Sequence, residues 1–127
     1  GGREDEARET LGKISARMNE YGAAQALLNL GELFKVVEAE GGEDAVRARK
    51  MQTPDDLKAH YLVACAEGVR GDFAPALDAL ITLFATRGVD PELKDKAKEA
   101  ASTIFEVAGR GDETIEGLRR KLTRLLF

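Results

Sequence analysis

The sequence predicts an all-α fold, an α-solenoid of antiparallel helix hairpins with about six helices. Three observations carry this. The strong helix formers alanine, leucine, glutamate, lysine and arginine dominate the chain. Apolar residues recur at spacings of three and four in successive segments, the period of one helix face. Glycine, proline and aspartate stand between those segments, where helices stop and start. Alternating Val-Ile-Thr runs of the kind that build sheets are missing. A length of 127 residues suits one domain with a modest core. Residues 1–127 therefore read as a single unit, with divergent N-terminal helices over 1–52 and regular helix pairs over 53–127.

The first expected helix runs from about Glu4 to Glu20, with Ala7, Leu11, Ile14 and Met18 on one stripe and Gly22 as its stop. The second, from about Ala23 to Ala39, carries Leu27, Leu28, Leu30, Leu33, Phe34, Val36 and Val37. Apolar around much of its circumference, it is expected to be the most buried of the early helices. Gly31 within it costs about 1 kcal/mol against alanine, so a close helix contact or a bend is expected there. Gly41-Gly42 ends this helix. Residues 43–52 read as a short helix or a connector: Glu43-Asp44-Ala45-Val46 opens like a helix, but Arg47–Lys50 is densely charged. Thr53-Pro54-Asp55-Asp56 reads as a helix start, with Thr53 as cap, Pro54 first, and two aspartates at the positive end of the dipole.

The third helix then runs to about Val69, with Leu57, Tyr61, Ala64, Cys65 and Gly68 on one side. Arg70-Gly71-Asp72 turns the chain into a fourth helix, about Phe73 to Thr86. Phe73 is an aromatic plug after the turn, and the small Ala64 and Ala76 let the two helices approach. Asp90 caps the fifth helix and Pro91 takes its first position. Its stripe is Leu93, Ala97, Ala100, Ile104 and Ala108, and Gly109 ends it. Gly111-Asp112 opens the sixth, where Ile115, Leu118, Leu122, Leu125 and Leu126 face one way. It is expected to close the array by packing on the fifth helix. The two neighbouring pairs fit a period near 34 residues, that of a tetratricopeptide-like solenoid.

Composition excludes several classes of function. Net charge is −4, and the only basic stripe is Arg119-Arg120-Lys121-Arg124 in the last helix. Cations suit a helix C-terminus, whereas a nucleic-acid module needs a dense basic face, so no nucleic-acid partner is expected. The single cysteine, Cys65, allows neither an internal disulfide nor a Cys-x-x-Cys pair. It sits between alanines, as a small buried hydrophobe does, and fits a reducing compartment, cytoplasm or organellar matrix. The single histidine, His60, has no nucleophile or carboxylate pair arranged with it. No cluster has metal-ligand spacing. Asp55-Asp56 and Asp90-Glu92 are explained by capping, and Gly109-Arg110-Gly111 lacks the phosphate-loop pattern. Leu80–Ala85, a largely apolar run, is far short of the roughly 20 residues that span a bilayer. No catalytic, cofactor-binding or metal-binding residue is assigned, and no enzyme is expected.

The second half carries a resemblance. It begins with His60-Tyr61-Leu62-Val63-Ala64-Cys65-Ala66 and continues through Gly71-Asp72-Phe73-Ala74-Pro75-Ala76-Leu77-Asp78-Ala79-Leu80. It ends with Gly111-Asp112 and the closing Arg119-Arg120-Lys121-Leu122-Thr123-Arg124-Leu125-Leu126-Phe127. From about Asp56 to Phe127 the chain resembles the C-terminal tetratricopeptide-like domain of the bacterial thioredoxin-fold chaperones (YbbN/CnoX, chaperedoxin). The closing helix, ending in two leucines and an aromatic, is the most specific match. The chain departs from the family in having no tryptophan between helices four and five, in Glu67 where an aromatic or leucine is usual, and in residues 1–50. It contains no thioredoxin domain; the resemblance implies one upstream in the full gene product.

The expected function is a non-catalytic protein–protein interaction module, a chaperone or co-chaperone adaptor whose partner, by the resemblance, is a chaperonin or an unfolded client. The alternative is a structural scaffold among the fixed subunits of a large assembly. The expected partner-binding residues are Arg120, Arg124, Leu125, Leu126 and Phe127, offered as a helix-in-groove anchor.

Overall fold

A computed structural model describes residues 21–126, all-helical and arranged as adjacent pairs. The helices are α1 (Tyr21–Ala39), α2 (Glu43–Gln52), α3 (Leu57–Arg70), α4 (Phe73–Ala85), α5 (Pro91–Ala108) and α6 (Glu113–Leu126). The helix expected over Glu4–Glu20 lies outside the described residues. The start of α5 follows the start of α3 by 34 residues, Leu57 to Pro91, so the expected period is present.

The centre of the array is α4, held between α3 and α5. Its Ala76, Leu77, Leu80 and Ile81 are fully enclosed. So are Leu62, Ala59 and Cys65 of α3, and Ala97 and Ile104 of α5. Small residues set how near the helices come. A Cβ at Gly68 of α3 would lie 2.5 Å from Ile104 Cδ1 and 3.8 Å from Ala76 Cβ. Carbon atoms sit best about 3.5–4.0 Å apart, so only glycine admits this crossing. The α3–α4 turn is closed by the Asp72 N–H donating to Glu67 O and the Gly71 N–H donating to Gly68 O, the overlapping pattern that satisfies carbonyls at a helix end.

Helix starts follow local chemistry. The Asp90 carboxylate accepts from the Glu92 N–H at 3.2 Å with Pro91 first in α5, as expected, and the Asp112 carboxylate accepts from the Ile115 N–H at 3.0 Å. The start of α3 differs from expectation. Thr53 ends α2, its N–H donating to Arg49 O, and Asp56 is the cap of α3, accepting from the Ala59 N–H at 3.2 Å. Asp56 wins because its carboxylate also receives Arg49 Nε at 2.6 Å, a charge-assisted bond that a threonine hydroxyl cannot match. The Arg49 guanidinium holds the Asp56 carboxyl below its ordinary range.

Residues 43–52 form a helix rather than a connector, and the dense charge is what links it to its neighbours. Arg47 pairs with Glu43 at 2.8 Å, Arg49 reaches Asp56 and Glu40, and Arg70 of α3 pairs with Glu43. Only Val46 of α2 is buried, so the core holds this helix by one side chain.

Helix α1 buries Ala26 and Val37 where α2 buries Val46 alone, but it is not enclosed: Leu28 is 57% exposed, and Phe34 and Val36 are also in solvent. Its Leu30, Leu33 and Val37 lie on one face and pack against the core, and the helix contacts both α3 and α5. Two expectations are corrected, a close contact at Gly31 and the packing of α6 on α5. Gly31 makes no close contact, since a Cβ there would meet nothing within 4 Å. Helix α6 packs mainly on α4 and only slightly on α5. The array is therefore two-layered, with α3, α5 and the crossing α1 on one side and α4 and α6 on the other.

Candidate protein-interaction surfaces

The closing helix changes character along its length. Ile115 and Leu122 are buried and Leu118 packs against the core, so the first part of the stripe is structural. Arg119 belongs with them. Its Nη2 donates to Gly109 O at 3.1 Å, its guanidinium stacks 4.7 Å from the Phe105 ring centre, and its Nε faces Glu116 at 3.4 Å. The last of these is an ion pair without hydrogen-bond alignment. Arg119 thus clamps α6 to the end of α5, and the stripe read as four free cations loses one to structure. Arg120 and Arg124 are exposed, and Leu125 and Leu126 are each 43% exposed. Of the five expected partner-binding residues, four therefore lie at the surface near the C-terminal end of α6; Phe127 lies outside the described residues.

A second surface was not anticipated. Between α1, α3 and α5 lies a cleft of about 450 Å³, lined by Asn29, Glu32 and Leu33 on one wall and by Tyr61, Glu99 and Thr103 on the others. A smaller one, of about 350 Å³, places Phe34 and Val37 beside Glu43, Ala66, Val69 and Arg70. The sequence signal was the run of apolar residues around α1. It reported two apolar faces, one packed and one in solvent.

The residues weighed for chemistry are structural. Cys65 is completely enclosed, and burial pushes its thiol up to about 12, against the pull of the neighbouring Tyr61 hydroxyl. A thiol so rarely ionised is a poor nucleophile. Burial also raises the Tyr61 hydroxyl above its ordinary value. His60 Nε2 lies 2.6 Å from Pro54 O, closing the turn before α3. Among the described residues no three His, Cys, Asp or Glu are placed to hold a metal ion, and no helix is long and apolar enough to cross a membrane.

The profile of a known protein family, described as tetratricopeptide repeat, matches residues 40–127. The chain belongs to the tetratricopeptide repeat family. Its match spans α2 to α6 and stops short of α1. Tetratricopeptide repeats are protein–protein interaction modules, which fits surfaces made of apolar steps and flanking charges rather than of reactive groups. No curated protein and no solved structure matches the chain.

Proposed function

We propose that this tetratricopeptide repeat protein is a chaperone or co-chaperone adaptor that works without chemistry and anchors its partner through the C-terminal end of α6. One observation carries the reading. The apolar stripe of α6 is buried as far as Leu122 and then runs on into solvent as Leu125 and Leu126, flanked by Arg120 and Arg124. A leucine pair with cations beside it fits an apolar groove with acidic margins on a partner, and Phe127 extends the pair in sequence. The partner class, a chaperonin or an unfolded client, rests on the likeness of this closing helix to that of the YbbN/CnoX chaperones. In this proposal residues 1–127 act as one domain, supported by a core to which every helix from α1 to α6 contributes.

The alternative, a scaffold subunit of a larger assembly, draws on Leu28 and Met51, exposed by 57% and 82% on helices other than α6. Affinity capture with the full chain and with Leu125→Ala/Leu126→Ala, quantified by mass spectrometry, separates the two. Chaperonin or a client mixture lost with the variant supports the adaptor. A fixed stoichiometric set retained by the variant supports the scaffold.

A further inference from the structure

We infer that the C-terminal end of α6 docks into the groove at the corner of α1, α2 and α3 on a second copy of this chain, so that the protein associates head to tail. The inference rests on the same α6 anchor as the adaptor reading and names what holds that anchor when no other protein does.

The groove is the smaller of the two clefts, of about 350 Å³. Phe34, Val37, Ala66 and Val69 line it, together with Glu38 and Glu43. Val37 and Ala66 are buried, so its accessible apolar surface comes from Phe34, 39% exposed, and the partly exposed Val69. No residue of α5 takes part. On α1, Phe34 and Glu38 fall on one side of Val37, and Asn29, Glu32 and Leu33, which line the cleft against α5, fall on the other. The two leucine side chains of the α6 end bring eight carbon groups of roughly 30 Å³ each, which fit within this volume.

Charge is complementary as well as shape. Residues 38–44, Glu-Ala-Glu-Gly-Gly-Glu-Asp, hold four acidic side chains and no basic one. Around this corner Arg47, Arg49, Lys58 and Arg70 pair with Glu40, Glu43, Asp56 and Asp72. Four cations thus answer four carboxylates, and Glu38 and Asp44, both exposed, add two further negative charges. Helix α1 also has no basic residue in its last turn, so the negative end of its dipole has the same sign. The α6 end is the opposite. Arg120, Lys121 and Arg124 are exposed there beside Leu125 and Leu126. Arg119 is not counted, because it is committed to Phe105 and Gly109. Opposed charges around an apolar contact fix its orientation and exclude wrong partners.

The occupant belongs to another copy because a chain's own α6 does not reach. Among the described residues α6 packs only on α4 and α5, and it meets none of α1, α2 and α3. Buried Ile115 and Leu122 hold it there. Each copy therefore has one apolar tip and one groove on different elements, and association fills both. Such a contact joins unlike surfaces, so it builds chains unless a reciprocal pair or a ring closes it. The surface is small, so association is of the weak class, with Kd between about 1 μM and 1 mM.

The test uses the full chain in sedimentation velocity, from about 1 μM to 1 mM. Leu125→Ala/Leu126→Ala removes the tip and keeps the groove. Phe34→Ala/Glu38→Lys alters the groove and keeps the tip. Wild type is expected to gain mass with concentration, and each variant alone to remain monomeric. An equimolar mixture of the variants is expected to form one-to-one pairs, because the tip of one enters the intact groove of the other. Wild type that stays monomeric throughout overturns the inference. So does a groove variant that associates as wild type does, or a mixture without pairs when both variants keep wild-type helix content by circular dichroism. If Phe34→Ala lowers helix content, Glu38→Lys alone, at an exposed position, is expected to weaken association about tenfold, and unchanged association overturns the inference. Monomeric wild type that binds a chaperonin or client through α6 sinks this inference alone. Self-association in a chain that binds neither sinks the adaptor reading alone.

Discussion

Replacing Gly68 by alanine tests the packing that brings the hairpins together. The new Cβ would stand 2.5 Å from Ile104 Cδ1 and 3.0 Å from its Cγ1, about 1 Å inside van der Waals contact. Ile104 is completely enclosed, so its displacement must be taken up by neighbouring core side chains. Overpacking of this kind costs roughly 1–3 kcal/mol, while alanine returns about 1 kcal/mol of helix propensity. The net expectation is destabilisation by up to about 2 kcal/mol. Gly31→Ala, the same change in open space on α1, isolates the propensity term and should stabilise by up to about 1 kcal/mol. Urea denaturation followed by circular dichroism measures both. Ile104→Val removes Cδ1 and costs about 0.5–1.5 kcal/mol by itself, but it should cost less, or nothing, beside Gly68→Ala. If Gly68→Ala proved as stabilising as Gly31→Ala, the close approach of α3 and α5 at this point would be refuted.

Three further outcomes follow from the same structure. Asp56→Ala removes a cap and should cost about 1 kcal/mol in chemical denaturation. Because the folded carboxyl titrates below its ordinary value of 3.8, its contribution is present above that value and fades as pH falls below it, so the wild type should lose more stability on acidification than the variant. Cys65 keeps its proton in the folded state up to about 12 from an ordinary value of 9.0, so stability should fall as pH rises through that interval, less steeply in Cys65→Ala. Alkylation of Cys65 at neutral pH should track unfolding; rapid labelling of the native chain would contradict its burial. Leu122→Ala should cost about 2–5 kcal/mol, whereas Leu125→Ala and Leu126→Ala should each stay within about 0.5 kcal/mol of wild type by thermal denaturation.

Much of the fold was legible because it is written in short-range chemistry. Asp90-Pro91 and Asp112 start helices by capping their own next residues, and glycines at 41, 71 and 109 follow helices that they end. The period showed in the 34 residues from Leu57 to Pro91. What was not legible depended on partners distant in sequence. Asp56 displaces Thr53 as cap because Arg49, on the preceding helix, holds its carboxylate. Arg119 looked like one of a row of surface cations until the Phe105 ring and Gly109 carbonyl met it. Helix α6 was expected on α5 by adjacency in sequence, but its stripe finds α4 because the second helices of successive pairs share a layer. On α1 the apolar period defined a helix, but the period does not distinguish a face that meets α3 and α5 from one that meets solvent. For the binding surface, residue type identified Leu125 and Leu126, but only the burial of Leu122 located where the stripe leaves the core.

The most direct test of the proposed anchor is an equilibrium titration of the full chain against a purified chaperonin and against an unfolded client, comparing wild type with Leu125→Ala/Leu126→Ala. Alanine preserves helix propensity, so α6 should persist and only the exposed apolar step is lost. Saturable binding to one of these partners that weakens about tenfold or more in the variant is the expected result. Equal affinity of the two proteins, or no binding of the wild type to either partner, would contradict the adaptor reading.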